Sequence, residues 1–416
     1  MRDPATLSPI LRVFAYRQYA LFMGGMTPNL VTLWMQRVGI GWLAWELTKS
    51  PTWLGIIAAA DLAPVMFIAP IAGAYTDRTD PVRQQMWTQW FNAGLSLALT
   101  ACAFTGVLNI WILFLLVLCH GSVHPFVSTS RHAIVPRTVP RAEFATAIAL
   151  DSALFNGSRF VGPALAGLMI PLWGIESTFM VNAVTCLWFV LLLGFMRLEA
   201  PARPPRAGRR ILSDVIESFA YVRAHIAIGP MFILLTVISI LMRPVQDMLP
   251  GFAGAVFDSG AVGLAWLTSS MGVGAMVSAA WIATRGRLDG LTRIVLAGSG
   301  GLALATLGFV ATGELWVAVI FGALSGFTLN TVSTGTQALT QSALSDELRG
   351  RVMGLYTVIY RGTPAIGALG LGALAEVFGL RWVFAGAALG CLVALAWVLP
   401  RRRAITAAAE AERRVE

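Results

Sequence analysis

Four arginines lie near the middle of long apolar stretches of the chain: Arg37, Arg159, Arg243 and Arg361. Because a guanidinium in hydrocarbon costs several kcal/mol, an arginine at that depth is a candidate functional residue by default. Arg159 and Arg361 could belong to a ring that attracts anionic groups of a ligand. The alternative is that each pairs with backbone carbonyls of a neighbouring helix, and the sequence leaves both possibilities open.

Carboxylates accompany two of these arginines. The turn between the first two apolar stretches lies near Ser50, 13 residues after Arg37 and 11 residues before Asp61. Both side chains therefore lie roughly 16 to 20 Å from that turn in a helical hairpin, and we expect them to pair or to share a cavity. The pair could be a static salt bridge or could handle protons or a ligand. Asp247 follows Arg243 at i+4, a spacing that favours simple neutralisation on one helix face.

Histidine, amide and indole groups add polar atoms to the apolar stretches. His120 and His124 share a helix face at i and i+4, yet no glutamate follows His120 and no third ligand lies nearby, so we predict no metal site. His120 could titrate in a proton path or could be a hydrogen-bonded core residue. Gln36 lies beside Arg37, and Trp34 is either an interface anchor or a cavity wall.

Phosphate-binding and hydrolytic motifs are absent from the sequence. It contains no Walker-type loop and no serine-centred nucleophile elbow, which are the patterns that nucleotide-driven pumping and acyl transfer require. We therefore predict that the protein is not an enzyme and needs no cofactor.

The composition indicates what surrounds these residues. Of the 416 residues, 57% are hydrophobic and only 12% are charged, against about a quarter charged in a soluble domain. The chain is therefore predicted to be a polytopic membrane protein embedded in the lipid bilayer. Since a helix needs about 20 apolar residues to cross the hydrocarbon core, we predict an all-α protein with twelve spanning helices. Their centres fall near residues 32, 64, 97, 121, 158, 187, 241, 272, 302, 329, 364 and 390.

The arginines outside the spans predict the orientation. If both termini face the cytosol, 24 basic residues lie on the cytosolic side, and only Lys49 and Arg381 lie on the other. This asymmetry, with an even number of spans, places both termini in the cytosol. It also explains the net charge of +9, so we predict no nucleic-acid partner.

A long polar interval divides the chain into two blocks of six spans. It contains several prolines, and its second part has the pattern of an amphipathic surface helix at residues 211–222. The predicted organisation is an N-terminal half at 1–196, a linker at 197–225, a C-terminal half at 226–400 and a cytosolic tail at 401–416.

The two halves repeat each other. Arg37 corresponds to Arg243 and Arg159 corresponds to Arg361, within a set of matches at offsets between 201 and 208 residues. Two six-helix halves with the same topology are typical of transporters whose halves rock about a binding site near the middle of the membrane.

Several segments resemble the major facilitator superfamily. Residues 73–80, Gly-x-x-x-Asp-Arg-x-Asp, are similar to its loop signature between the second and third helices. Residues 158–167, Ser-Arg-Phe-Val-Gly-Pro-Ala-Leu-Ala-Gly, are similar to its fifth-helix antiporter signature. The chain departs from the loop signature at Pro81 and Val82, where basic residues are usual. Four longer segments resemble the efflux branch of enterobactin-exporter-like and macrolide-efflux-like proteins, of transmembrane secretion effector type: 34–42, 147–156, 243–250 and 346–356.

The resemblance implies a fold and a function. The fold is the major facilitator fold, with two pseudo-symmetric six-helix halves, in a monomeric multi-pass protein of the bacterial inner membrane. The function is secondary active transport: proton-coupled export of a small amphiphilic or hydrophobic molecule by alternating access, with protons as the coupling ion. Alternatives are a carrier of lipid or siderophore, an importer, or a non-transporting membrane scaffold, sensor or enzyme. The mid-membrane arginines favour anionic or zwitterionic cargo.

The resemblance also implies that the hinge acid Asp77 meets the cytosolic end of the eleventh helix, although a solvated loop that only sets topology is an alternative. The expected gating residues are Gly73, Asp77, Arg78, Arg83, Gly162, Pro163, Glu347 and Arg351. The expected substrate and proton pathway residues are Arg37, Asp61, Arg159, Arg361, Gln36, His120, Arg243 and Asp247.

Overall fold

A computed structural model describes residues 9–198, 219, 221–222, 225–285, 289–344 and 346–410 of the protein. This part of the chain is almost entirely helical and contains no strand. A short helix, Pro9–Phe14, precedes twelve long ones. These are α1 (Arg17–Thr48), α2 (Pro51–Arg78), α3 (Pro81–Phe104), α4 (Ile110–Ile134), α5 (Phe144–Trp173), α6 (Glu176–Gly194), α7 (Ile228–Leu241), α8 (Gly260–Arg285), α9 (Leu291–Ala311), α10 (Leu315–Ser342), α11 (Asp346–Phe378) and α12 (Leu380–Val398). A terminal helix α13 (Arg402–Glu410) follows, and the predicted all-α architecture is confirmed.

Nine helical stretches within the described residues are long and apolar enough to cross a membrane. The other three long helices, α1, α3 and α5, carry more polar side chains, and several of these are buried. Gln36 of α1, Gln89 of α3 and Asp151 of α5 are only 1%, 1% and 7% exposed. Because polar groups in a membrane bundle find their partners inside it, these side chains indicate that α1, α3 and α5 make polar contacts within unit 1.

Cα proximity groups the chain into two compact units. Unit 1 comprises Met1–Leu47 and Phe67–Arg206, and unit 2 comprises Thr48–Met66 and Ala207–Glu416. The first part of α2 therefore groups with unit 2 and its second part with unit 1, which the sequence does not indicate. The division into halves at residues 196 and 226 stays a prediction. The amphipathic helix expected at 211–222 falls almost wholly outside the described residues.

The core of unit 1 lies among α1, α3, α4 and α6. Helix α3 packs against both α4 and α6, and large side chains close the space beside them. Tyr19, Phe22 and Phe189 are fully buried, and the rings of Phe22 and Phe189 meet edge to face with centroids 5.5 Å apart. This packing fixes α1, whose middle carries Arg37, relative to α6.

Unit 2 contains a broken helix. Helix α7 ends at Leu241, well before the end of the predicted span, and the chain continues through a 3-10 turn at Arg243–Val245 and two short helical turns. Pro244 has no N–H to donate and disfavours continuation of the helix. Broken helices are tolerated in a membrane where neighbouring groups satisfy the freed backbone atoms. The break places Arg243 at a helix end that packs against α11.

Candidate functional site

Two of the predicted arginines lie against one tryptophan within unit 1. Trp34 and Arg37 come from the middle of α1, and Arg159 comes from the middle of α5. The guanidinium carbon of Arg37 lies 5.0 Å from the centroid of the Trp34 ring, and that of Arg159 lies 5.2 Å from it. All three side chains are partly buried. We call these three residues the Trp34 cluster.

Gly162 allows α5 to approach α1 closely enough to form this cluster. A Cβ atom at Gly162 would lie 2.5 Å from the carbonyl oxygen of Val31 and 2.6 Å from the Cβ of Trp34. Any larger residue would push the helices apart, because small residues set the closest distance between membrane helices. Pro163, the next residue, is also buried. Both residues are expected to act in gating, and the structure places Gly162 at the α1–α5 contact.

An ion pair that the sequence did not indicate stands beside the Trp34 cluster. Phe155 meets Trp34 edge to face with ring centroids 6.3 Å apart, and the guanidinium carbon of Arg131 lies 5.0 Å from the Phe155 centroid. Arg131 donates to the Asp151 carboxylate at 2.8 and 3.0 Å. The two side chains are 12% and 9% exposed, so the pair is buried. The signal in the sequence that could have indicated this pair was Asp151 itself, an acid within an otherwise apolar segment of α5.

Gln36 lies in a buried hydrogen-bond network that joins three helices. Its side-chain oxygen accepts from Ser96 of α3 at 2.9 Å and from Asn182 of α6 at 2.6 Å. Asn182 in turn accepts from the Thr32 hydroxyl at 3.0 Å. Because every member has a partner, the network ties α1 to α3 and α6, and it can hold the Trp34 cluster in place.

Arg243 has an aromatic and a carbonyl partner in unit 2. It donates to the carbonyl oxygen of Tyr360 at 2.8 Å, and its guanidinium carbon lies 4.5 Å from the Tyr360 centroid. Tyr356 stacks on Tyr360 with centroids 5.8 Å apart, and the Tyr356 hydroxyl donates to the Ser333 carbonyl at 2.8 Å. Arg243 therefore joins the end of α7 to α11. Its neutralisation by Asp247, which is partly buried, stays a prediction.

Asp61 and Arg361 both belong to unit 2, whereas Arg37 belongs to unit 1. The segment that carries Asp61 packs against α11, the helix that carries Arg361. The Ser50 hydroxyl donates to the Glu376 carboxylate of α11 at 2.6 Å, and a Cβ at Gly55 would clash with the Ala368 carbonyl. Asp61 is partly buried and Arg361 is exposed. The pairing of Asp61 with Arg37 stays a prediction.

The histidines of α4 lie side by side. His120 is 8% exposed, and its ring centroid lies 6.5 Å from that of His124. Within the described residues, no group of three or more His, Cys, Asp or Glu side chains could hold a metal ion.

The hinge between α2 and α3 explains why this chain lacks the usual basic residues there. Asp80 is the N-cap of α3 and accepts from the Val82 N–H at 2.9 Å. Pro81 is the first residue of the helix, a position that suits proline because no donor is lost. Val82 is 7% exposed and packs in the core of unit 1. The structure thus uses the two positions for helix initiation and apolar packing.

Neutral hydrogen bonds hold the ends of three helices together at this hinge. The Gln84 amide of α3 donates to the Thr76 hydroxyl of α2 at 2.8 Å and to the Phe126 carbonyl of α4 at 2.9 Å. The Thr76 hydroxyl donates to that of Thr129 at 2.8 Å.

The expected gating residues of the hinge lie at its surface. Asp77 and Arg78 are exposed, and Gly73 is partly buried. Arg83 lies 3.8 Å from Asp80 with both side chains largely exposed. Glu347 and Arg351 lie on α11, at positions whose side chains are outside the described part of the protein.

Val82→Arg, which restores the usual basic residue of the loop signature, is expected to lower the midpoint of thermal unfolding in detergent. The substitution puts a charge in the core of unit 1, and an unpaired buried charge costs several kcal/mol. The matched control is Arg83→Gln at the exposed neighbouring position, for which a change within about 0.5 kcal/mol is expected. A Val82→Arg protein as stable as the wild type would show that this position is not a packing site.

Comparison with known proteins gives a match over nearly the whole chain. A family model described as transmembrane secretion effector matches residues 6–414. The multidrug efflux pump Tap of Mycolicibacterium fortuitum is 24% identical over 388 residues, covering 90% of this chain and 93% of that protein. The staphyloferrin A transporter of Staphylococcus aureus is 22% identical over 375 residues, covering 90% and 91%. The crystal structure of the nucleoside transporter NupG superposes with a TM-score of 0.68 at 11% identity, covering 91% and 98%.

Proposed function

The chain belongs to the transmembrane secretion effector family of the major facilitator superfamily, and we propose that it is a proton-coupled exporter that works by alternating access. As a member of that family it is a multi-pass membrane transporter and not an enzyme. The proposed cargo is a small amphiphilic or hydrophobic molecule, moved out across the bacterial inner membrane. The proposed transporter is a monomer with both termini in the cytosol.

The observation that carries export is the likeness to a protein named as a multidrug efflux pump, which extends over 90% of this chain and 93% of that protein. The Trp34 cluster is consistent with amphiphilic cargo, because it places cationic and aromatic surface together in the middle of two helices. Aromatic walls with a few polar groups are usual in small-molecule sites.

A siderophore carrier is the second candidate. The relative that favours it is named as a staphyloferrin A transporter, and it covers 90% of this chain. The same fold serves transport in either direction, so this candidate differs from the first in cargo and not in architecture.

Asp61 is the proposed proton-exchanging group. It is a partly buried carboxylate within α2, and membrane acids in such positions mark proton relays. Asp151 of α5 is less suited to this role, because its carboxylate is already engaged by Arg131 at 2.8 Å. His120 is a second proton-path candidate on α4.

Transport by the purified protein in liposomes tests the proposal. Two probes with the same ring and permanent opposite charges are suitable: 2-naphthalenesulfonate and N,N,N-trimethyl-2-naphthylammonium. We expect an imposed pH gradient to drive net movement of at least one probe opposite to the proton flow, above the level in protein-free liposomes. If neither probe responds to the gradient, proton antiport is wrong. Movement in the same direction as the protons would identify a symporter and an importer.

A further inference from the structure

We propose that the Trp34 cluster binds an anionic oxygen group of the transported molecule, namely a sulfonate, phosphate or carboxylate. This inference rests on the proposed transport function and specifies the chemical class of its cargo. The cluster lies at the middle of α1 and α5, within unit 1.

An unsatisfied donor is the first observation that points to a ligand. The Trp34 indole nitrogen is buried and has no hydrogen-bond partner among the described residues. An indole N–H can only donate, and burial of a donor without an acceptor is unfavourable. An oxygen atom of a bound ligand would satisfy it.

The two guanidinium groups give this donor a cationic setting. Both lie about 5 Å from the centroid of the same ring, at 5.0 Å for Arg37 and 5.2 Å for Arg159. Guanidinium and indole groups contribute donors and no acceptor. A ligand group that contacts these side chains must therefore be rich in acceptors, and charge-assisted hydrogen bonds favour an oxyanion over a neutral carbonyl.

Two acids on or beside α5 already have arginine partners. Asp151 lies 2.8 Å from Arg131, and Glu143, at the start of the helix, lies 2.8 Å from Arg12. Asp61 is the acid that the sequence predicts at the depth of Arg37, and its full pairing with one arginine would still leave one positive charge on the cluster. The cluster can therefore bind an anion even where one of the two arginines has another partner.

Phe155 supplies an apolar wall beside the charged groups. Its ring meets Trp34 at 6.3 Å and carries Arg131 on its face at 5.0 Å. A ligand with an acid group on an aromatic or otherwise apolar body can place the acid among the three donors and the body against this ring. Such a shape agrees with the amphiphilic cargo of the proposed function.

Binding of three matched naphthalene compounds to the purified protein tests the charge preference. The compounds are 2-naphthalenesulfonate, the uncharged 2-naphthalenesulfonamide and N,N,N-trimethyl-2-naphthylammonium, and thermal stabilisation over a concentration series gives each affinity. We expect the sulfonate to bind at least about tenfold more tightly than either other compound, which corresponds to about 1.4 kcal/mol. Equal affinities, a preference for the cation, or no sulfonate binding below about 1 mM would overturn the proposal.

Two variants assign the preference to the cluster. Trp34→Phe keeps an aromatic face for both arginines but removes the N–H, and Arg159→Gln removes one charge while keeping a polar side chain. Each is expected to weaken sulfonate binding by about tenfold and to leave the affinity for the other two compounds within about twofold. The control is Arg17→Gln, which removes an exposed arginine at the start of the same helix as Trp34 and should change none of the three affinities. Loss of affinity for all three compounds together would indicate a purely structural role and overturn the proposal.

Failure of the site and failure of the proposed function give different results. Sulfonate binding that depends on the cluster, without pH-driven movement in liposomes, would contradict the proposed proton antiport and leave the anion site standing. Movement of the cationic probe with no cluster-dependent sulfonate binding would support antiport and overturn the anion site.

Discussion

Liposomes containing the Asp61→Asn variant are expected to move no more probe under an imposed pH gradient than liposomes without protein. Asparagine has nearly the shape of aspartate but cannot take up or release a proton, so a carrier that exchanges protons at this residue loses its driving force. The partly buried side chain lies on a segment of α2 that packs against α11. The expected loss is in pH-driven transport, while the amount of folded protein in the membrane stays the same.

The matched control for this prediction is Asp258→Asn. Asp258 is an exposed carboxylate in the connection between α7 and α8, and its backbone has a φ of 45°. Asparagine tolerates this left-handed conformation as well as aspartate does, so the control changes one charge without strain. Wild-type transport is expected from it. Undiminished pH-driven transport in Asp61→Asn would remove Asp61 from the mechanism.

Removal of one partner of the Arg131–Asp151 pair is expected to cause the largest loss of stability. The side chains are only 12% and 9% exposed, so Asp151→Leu leaves a buried guanidinium without its counter-charge. Breaking such a pair costs about 3–5 kcal/mol. Thermal unfolding of the purified protein in detergent should show a midpoint several degrees below that of the wild type.

A double variant separates the charge effect from simple loss of packing. Arg131→Met combined with Asp151→Leu removes both charges and keeps similar volume, and replacing a buried pair in this way is often close to neutral. The double variant should therefore recover most of the stability that the Asp151→Leu single variant loses. Additive losses in the double variant would show that the two residues contribute independently and that the pair is not the source of the effect.

The helices of this fold could be predicted because the membrane imposes a simple rule. Each span needs about 20 apolar residues, and the middles of α1, α2 and α5 lie within about two residues of the predicted centres. The break in α7 was missed because the mean hydropathy stays high across it, so that the stretch Ile228–Val256 has the composition of one apolar span. The Arg243-Pro244 dipeptide was the local signal, since proline disfavours the helix that precedes it.

The site could be predicted only in part, since sequence shows which residues are unusual but not which are neighbours. Arg37 and Arg159 were identified from their depth, yet for the ring they share, that of Trp34, a place at the membrane interface was preferred over a cavity wall. Arg131 was counted among the cytosolic charges because it lies at the end of α4. Its partner Asp151 is 20 residues away on α5, and no local pattern links two helices across a turn. Likewise, Val82 stands where the loop signature usually has a basic residue, and only the structure shows that its side chain packs in the core of unit 1.

Proton coupling is the central claim, and the reciprocal flux tests it most directly. Liposomes with purified protein and internal pyranine start at equal pH on both sides, and a gradient of 2-naphthalenesulfonate is applied. Because coupling between two sites is reciprocal, sulfonate moving down its gradient should drive protons the opposite way and change the internal pH, and Asp61→Asn should abolish this change. Sulfonate movement through the wild-type protein with no change in internal pH would contradict the account.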